Sequence, residues 1–406
     1  MTIKTAEAIH PMNGGVARTP TLHSPMLSKL SDSEVWLKLE NLQTTGSFKV
    51  RGAQTKLSTL SPEQRKKGVI AASAGNHAQG VAYHAEKLGI PATIVMPKST
   101  PFTKVARTEA LGATIVLEGE TLSEASDKAH QLERENGLTY IPPYDDPDII
   151  AGQGSVMHEF LEDAPSLDSV IVPIGGGGLI SGCALAVKEV GAQTKLFGVQ
   201  SALFPSMISA LEGTTPNIGG QTIAEGIAVK TPGVLTKTII EKYVQKIFQV
   251  DETTLEKAVH LLLIEQKLVV EGAGAAPLAA LIKHKEAFKG QKVGLVISGG
   301  NIDARILSAV LMRGLAREGR LARLRMEVPD APGSLARATE IIGKRNGNII
   351  EIHHRRLFYD IPVKMTEVDV IIETIDGSQL DDIVTALVQA GFPTVTLKNT
   401  SSADPG

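Results

Sequence analysis

A chain of 406 residues is longer than one average domain and suggests two or three. Apolar residues make up 42% and charged residues 21%, and the formal charge of −3 gives no strong bias toward nucleic acid or an acidic membrane surface. A single cysteine, Cys183, excludes a disulfide framework and a cysteine-built metal cluster. The opening stretch, MTIKTAEAIHPMNGG, lacks the apolar core of a signal peptide, and nowhere is there an apolar run long enough to span a bilayer, so a cytoplasmic protein is expected.

In chain order, VWLKLE (Val35 to Glu40) reads as a strand leading into QTTGSFKVRG (Gln43 to Gly52). Val50, Ala53, Leu57 and Leu60 then have the three-and-four spacing of one helix face, which places Lys49 in a first helical turn. GVIAAS (Gly68 to Ser73) reads as a buried strand, with Ala78, Val81, Ala82, Ala85 and Leu88 as the inner face of the next helix. PATIVMP (Pro91 to Pro97), a helix from Phe102 to Leu111, ATIVL (Ala113 to Leu117) and a helix from Thr121 to Asn136 continue the alternation that marks a parallel α/β sheet. YIPPYDDPD (Tyr140 to Asp148) breaks it and reads as a crossing between lobes.

A second αβ series follows: SVIVPI (Ser169 to Ile174), four glycines (Gly175 to Gly178), a helix to about Val190, and KLFGVQ (Lys195 to Gln200). Thr214 to Gly233 is expected to be an irregular loop bordering a substrate entrance. Helices over Glu252 to Lys267 and Ala275 to His284 precede the strand KVGLVIS (Lys292 to Ser298). After Gly300 a helix runs into a segment holding Arg313, Arg317, Arg320, Arg323 and Arg325; without interleaved aromatics this reads as a solvated inter-domain helix and not a nucleic-acid surface. From Leu321 the order is βαββαβ, that of a small ferredoxin-like module, with NTSSADPG as a disordered tail.

Lys49 is the residue the rest is organised around. A cation is disfavoured at a helix N-terminus, so its pKa should move down toward the neutral amine that forms Schiff bases. A lone lysine is by default a solvated surface residue, and only its company changes that. Three turns, SAGNH (Ser73 to His77), GGGGL (Gly175 to Leu179) and SGGN (Ser298 to Asn301), each follow a buried strand and open toward a helix, at the carboxyl edge where open α/β sheets bind ligands. The four glycines form a cradle for a phosphate. They do not meet the dinucleotide spacing G-x-G-x-x-G, because the sixth position falls on Ile180 or Ser181. SAGNH offers amides to a carboxylate, unless Ser73 simply caps the helix. His77 and His84 lack a metal-ligand pattern and are expected in the core or at a polar edge, and no metal site is expected. Cys183 is expected to be a small buried apolar residue.

A nucleophilic lysine, a phosphate cradle and a carboxylate cradle together describe pyridoxal 5′-phosphate (PLP) acting on an amino acid. SFKVRGA, SAGNHAQG, PIGGGGLISG and SGGN, in this order, resemble the serine/threonine dehydratase branch of the fold-type II PLP enzymes over Ala17 to Met312. The remainder resembles an ACT domain, with DAPGSL (Asp330 to Leu335) as its first turn; the combination resembles the medium-length threonine ammonia-lyases. The resemblance implies a two-lobed, tryptophan synthase β-like catalytic domain over residues 1–320, with a small lobe over about 53–150, and an ACT domain over 321–406. It implies that Lys49 holds PLP and Phe48 packs on its ring, that Asn76 bonds the ring hydroxyl, and that Gly175, Gly176, Gly177, Gly178 and Leu179 hold the phosphate. Ser298 would meet the pyridine nitrogen, and Ser73, Ala74, Gly75, Asn76 and His77 would receive the substrate carboxylate.

The reaction implied is β-elimination from L-threonine, and also from L-serine, with Lys49 taking the α-proton. A neutral serine on the ring nitrogen suits that chemistry better than transamination. Related racemases carry serine where this chain has Ala74, which disfavours racemisation. The same fold would also serve a 3-hydroxyaspartate dehydratase or an inactive amino-acid sensor. Asp330, Gly333, Ser334 and Asn348 are candidate effector contacts for an amino acid such as isoleucine or valine. A homodimer or homotetramer is expected. Glu271, in VEGAGA, falls near the cofactor by resemblance, while the sequence alone gives it no role.

Overall fold

The structure is a computed structural model that describes residues 3–5, 15–164, 166–355 and 362–397. It divides into two compact units, Met1–Asp303 and Ala304–Gly406.

The first unit holds two sheets. The smaller is parallel throughout and runs, edge to edge, Thr114–Leu117, Ala92–Met96, Val69–Ala72, Thr139–Tyr140. Its central strand is apolar on both faces, and alternate side chains serve different cores. Val69 and Ala71 pack with Ala53 and Leu57 of the helix Lys49–Ser58 and with Ala78, Val81, Ala82 and Ala85 of the helix Asn76–Lys87. Ile70 and Ala72 pack with Ala125 and Ala129 of the helix Leu122–Asn136 on the other face. Leu88, expected on the inner face, is 40% exposed, because the helix stops at Lys87 and Leu88 is its C-cap.

The larger sheet has the order Thr21–His23, Glu34–Lys38, Lys292–Val296, Ser169–Pro173, Lys195–Ser201, Val244–Val250. Only its first strand is antiparallel. The helices Pro147–Asp163 and Gly178–Glu189 contribute Val156, Phe160, Ile180 and Cys183 to the core cluster that contains Val170, Val172 and Val296. The strands Thr21–His23 and Val244–Val250 and the helices Pro25–Ser31, Pro62–Lys67, Ser206–Glu212 and Val234–Tyr243 carry no expectation from the sequence. The segment Thr214–Gly233 is irregular apart from a short 3-10 turn at Glu225–Ile227.

One helix begins earlier than expected: it spans Gly272–Lys283, not Ala275 onward, so Glu271 is its N-cap residue. Glycine is a poor helix former, which hides this start. Its place here is explained by close approach, since a Cβ on Gly272 would lie 2.4 Å from the Ile223 carbonyl oxygen and one on Gly274 2.5 Å from that of Gly299.

The second unit begins with the helix Ala304–Arg317 and continues βαββαβ. Its antiparallel sheet has the order Asn348–Arg355, Met365–Glu373, Leu321–Pro329, Thr394–Thr396. Ala322, Leu324, Met326 and Val328 alternate into a core with Ala338, Ile342, Ile383 and Leu387 of its two covering helices. The arginine-rich segment is therefore not one helix. Arg313 and Arg317 lie on the helix, whereas Arg323 and Arg325 lie on the strand and grip Asp369, at 2.5 and 2.8 Å. The expected tail, residues 399–406, lies outside the described residues. Among the described residues no helix is long and apolar enough to cross a membrane.

Candidate active site

The helix Lys49–Ser58 opens at Lys49 itself, and its N-cap, Phe48, provides no side-chain hydrogen bond, so the positive end of the helix is unopposed. Lys49 Nζ donates to the Pro143 carbonyl at 2.6 Å and lies 5.3 Å from the Phe48 ring centroid. Burial pulls its pKa down to about 8, with the Glu271 carboxylate opposing. A neutral fraction is thus present near neutral pH; the direction is the one expected from the sequence, and its cause is burial.

Two residues on, Arg51 faces the interior and is fully buried. Its guanidinium donates to both oxygens of Glu40, each at 2.8 Å, and to both of Glu159, at 2.7 and 2.8 Å. Lys38 Nζ meets the same Glu159 at 2.7 Å. Burial alone would raise Glu40, but the adjacent Arg51 holds it below its ordinary value, and Arg51 is held above its own despite burial by Glu40 and Glu159. This charge-balanced floor was not legible in the motif, because its partners come from other elements.

Hydrogen bonds link two of the three turns to the Lys49 segment, and the third, the glycine run, lies against Tyr144, next to the Pro143 that accepts from Lys49. The turn at Ser298 is stitched to that segment by Phe48 N–H donating to Ser298 O at 3.1 Å and Gly300 N–H to Gly46 O at 2.8 Å. Ser298 itself is buried. The helix Asn76–Lys87 starts with Gly75 as N-cap and has no side-chain cap; Ser73 Oγ accepts from Gly75 N–H at 3.2 Å, so it shapes the turn and does not cap the helix. Asn76 is held at both ends of its amide. Its Nδ2 donates to Glu271 Oε1 at 2.8 Å, and its Oδ1 accepts from Asn301 Nδ2 at 2.8 Å, which also donates to Thr45 O at 2.8 Å. His77 is a core residue: burial, and then the Lys49 charge, pull its pKa down to about 3, and its neutral ring meets the Ile141 carbonyl at 2.9 Å. His84 is buried likewise, with its pKa pulled down to about 4 by burial and then by Lys87.

Gly175 to Gly178 leave the strand Ser169–Pro173 and enter the helix Gly178–Glu189, with Gly177 at φ +98° and no side-chain cap. A Cβ on Gly176 would lie 2.3 Å from the Tyr144 ring, and one on Gly177 2.8 Å from Thr236 Cβ. The Gly176 carbonyl is taken by Thr236 Oγ1 at 2.7 Å and Gly233 N–H at 3.2 Å. Leu179 is buried in the core below. Three consecutive residues of the passage between lobes thus touch the site: Pro143 through its carbonyl, Tyr144 through its ring, and Asp145 by accepting from Val234 and Thr236 N–H at 3.0 and 3.1 Å. The sequence marked this passage as a break and gave it no role at the site.

Glu271 also joins the site. Burial raises its pKa to about 7, against the Asn76 hydrogen bond and with the Glu225 charge. Cys183 is buried in the core, and burial pushes its thiol up, away from the reactive form.

In the second unit, Gly333 at φ +82° is the N-cap of the helix Ser334–Lys344, Ser334 is buried, and Asp330 N–H donates to Lys364 O at 2.9 Å. Asn348 is not beside them. It pairs with Glu373, which also faces Leu321, whereas the Asp330 turn follows Pro329, which faces Met365 at the other end of the same strand.

The profile of the family described as "Pyridoxal-phosphate dependent enzyme" matches residues 12–299, and that of the ACT domain matches residues 322–392. The chain is 42% identical over 388 residues to the L-threonine ammonia-lyase of Thermotoga maritima, covering 95% of this chain and 96% of that protein. It is 41% identical over 394 residues to the L-threonine ammonia-lyase of Geobacter sulfurreducens, covering 97% and 98%. Among solved structures it is similar to the processed form of threonine deaminase isoform 2 from Solanum lycopersicum, at 34% identity and TM-score 0.71 over 75% of this chain and 92% of that one. It is also similar to maize serine racemase, at 31% identity and TM-score 0.72 over 78% and 99%. The chain belongs to the pyridoxal-phosphate dependent enzyme family, beside the threonine ammonia-lyases, and carries a C-terminal ACT domain.

Proposed function

We propose that the protein deaminates L-threonine to 2-oxobutanoate and ammonium, and L-serine to pyruvate, with Lys49 as the catalytic base. The observation that carries this reading is the Lys49 amine, with a pKa of about 8 at a helix N-terminus without a side-chain cap, whose preceding residues are hydrogen-bonded to the turn at Ser298. The residues present fit PLP. The glycine run admits no Cβ and ends at uncapped amides suited to a phosphate, and Ser47 Oγ, two residues before Lys49, is buried with no hydrogen-bond partner among the described residues. Lys49, Phe48, Asn76, Gly175 to Leu179 and Ser298 would hold the cofactor. When bound, PLP supplies the electron sink that makes the substrate α-hydrogen removable and lets the β-hydroxyl depart.

The chain's own contribution is to bind, orient and move one proton. The turn from Ser73 to His77 presents amides to the substrate carboxylate, which fixes the α-carbon near Lys49. Lys49 Nζ, once released from the Pro143 carbonyl, takes the α-proton; a base with a pKa of about 8 is well matched to working near neutral pH. Asn76, held by Glu271 and Asn301, cannot rotate its amide, so it presents a fixed donor. Ser298 is neutral and does not force a proton onto a ring nitrogen. Ala74 carries no acid or base to return a proton to the second face, which favours elimination over racemisation. The released enamine takes up water and loses ammonium, which balances the reaction.

The test is 2-oxo acid formation from L-threonine, L-serine and L-threo-3-hydroxyaspartate, side by side with PLP supplied. Threonine turnover is expected, with Lys49→Ala losing both it and the visible absorbance of bound cofactor. Turnover of threonine by Lys49→Ala at the wild-type rate would sink the assignment, and substantial D-serine formation would overturn the role given to Ala74.

We also infer that the ACT domain binds an amino-acid effector near Asp330, Gly333 and Ser334. Because Asn348 stands at the other end of the sheet, it joins that site only if a second copy supplies it, which agrees with a homo-oligomer. Calorimetric titration of the full chain with isoleucine, valine and other amino acids should give saturable heat for at least one, and the heat should be lost in Asp330→Ala. No heat with any of them would favour a purely oligomerising module.

A further inference from the structure

Glu271 is the one acidic side chain among the described residues that hydrogen-bonds Asn76, and it does so across the two lobes of the first unit. Its carboxyl also accepts the Asn301 backbone N–H, and it lies against the entrance loop, since a Cβ on Gly226 would come within 3.3 Å of Glu271 Oε1. Asn301 in turn holds the other end of the Asn76 amide. An ionised Glu271 thus accepts from two fixed N–H donors, the Asn76 amide at Oε1 and the Asn301 backbone. A protonated carboxyl keeps acceptor capacity, chiefly on its carbonyl oxygen, but gains an O–H that needs an acceptor of its own, so protonation weakens its hold on Asn76 and Asn301 without abolishing it. Charge-assisted acceptance is also roughly twice as strong as neutral acceptance.

We propose that Glu271 is a positioning residue whose loss of a proton clamps Asn76 in its working orientation, so that turnover is gated by protonation at a group that touches neither substrate nor the reacting atoms. The inference rests on the PLP-dependent reading above and deepens it. The charged groups that face Glu271 are Lys49, from the start of the helix Lys49–Ser58, and the pair Lys104 and Glu225, which meet at 2.7 Å between the helix Phe102–Glu109 and the entrance loop. Glu225 raises the proton affinity of Glu271 and Lys104 lowers it. With the carboxyl titrating at about 7, the clamp is loosened in mild acid and tight in mild base.

The experiment is a pair of titrations on the cofactor-loaded full chain at low ionic strength. In infrared difference spectra between about pH 5 and 9, one carboxyl band should titrate near pH 7 and be missing from Glu271→Gln. In threonine turnover, kcat should rise through the same pH in the wild type, by about ten- to a hundredfold. Glu271→Gln, which offers one accepting oxygen, should lose the step near pH 7 and keep only the rise near pH 8 that belongs to Lys49. Glu225→Gln, a change at an exposed residue, should move both inflections to lower pH by a few tenths of a unit, because it removes the charge that favours the proton and releases Lys104.

A wild-type carboxyl band near pH 7 that persists in Glu271→Gln overturns the proposal, as does a Glu271→Gln rate profile that keeps the wild-type step. Should Glu271→Gln fail to fold, an inflection unmoved in Glu225→Gln overturns it. Should threonine not be turned over at all, the functional reading fails, while the infrared titration still decides whether Glu271 exchanges its proton near neutrality.

Discussion

Lys49 and Arg51 stand two residues apart on one helix, and burial disfavours the charge of both, yet their net shifts are opposite. Around Arg51 every buried charge has a partner, so Glu40 is held below and Arg51 above its ordinary value, and Lys38 and Glu159 complete the pairing. Around Lys49 the partners are carbonyls, amides and a distant carboxylate, so desolvation wins: the lysine falls to about 8, Glu271 rises to about 7 and His77 falls to about 3. The same helix therefore has a face fixed in charge, which positions it, and a face brought near neutrality, which can exchange protons. Full pairing makes a scaffold, and incomplete pairing makes chemistry.

The sharpest way to break this contrast is on the fixed face. Arg51→Met leaves Glu40 and Glu159 buried around an apolar side chain, and should lower the unfolding free energy by about 3–5 kcal/mol, read from urea midpoints. A loss below about 1 kcal/mol would mean that the floor relaxes, and that the two faces do not differ as described.

The opposite sign is expected on the other face. The folded-state pKa of Lys49 is depressed to about 8, so the folded protein resists a proton that the unfolded chain keeps up to its ordinary value. That penalty is fully present below about pH 8 and is gone above about pH 10.5. In the cofactor-free protein, Lys49→Met should therefore gain about 1–3 kcal/mol at pH 7 while ending turnover, and the gain should fade as pH rises through this window. Destabilisation at pH 7 would show that the Pro143 contact outweighs desolvation.

A third lysine of the helix sharpens the comparison at its weak end. Lys56 meets Asp146 at 2.7 Å and Asp148 at 3.1 Å near the surface. Lys56→Gln should cost only about 0.5–1 kcal/mol, and added salt should shrink the difference.

What the sequence disclosed and what it hid divide along the same line. Lys49, the three turns and the alternating elements were legible because each is written in consecutive residues: a period, a glycine run, a strand before a helix. The floor was not, since Glu40, Arg51 and Glu159 converge through space from three elements. Asn301 and Glu271 were both present, inside SGGN and VEGAGA, but their shared hold on Asn76 spans 225 and 195 residues and leaves no local signature. The start of the helix Gly272–Lys283 was concealed by the glycines that let it approach Ile223 and Gly299. An asparagine directly after the glycine in two of the three turns, as Asn301 follows Gly300 and Asn76 follows Gly75, was the signal that could have paired them.

Pro143, Tyr144 and Asp145 have a consequence for how the gene can change length. One residue after another, they hold the lysine amine, cover the glycine run and cap the helix Val234–Tyr243. Inserting a single residue there would put all three out of register at once, although the stretch looks like any proline-rich linker. The irregular run from Gly213 to Gly219 has no comparable set of contacts to the site among the described residues, and added residues there would cost little more than a slightly longer loop. Insertions and permuted termini are therefore expected to be tolerated at the second place and refused at the first.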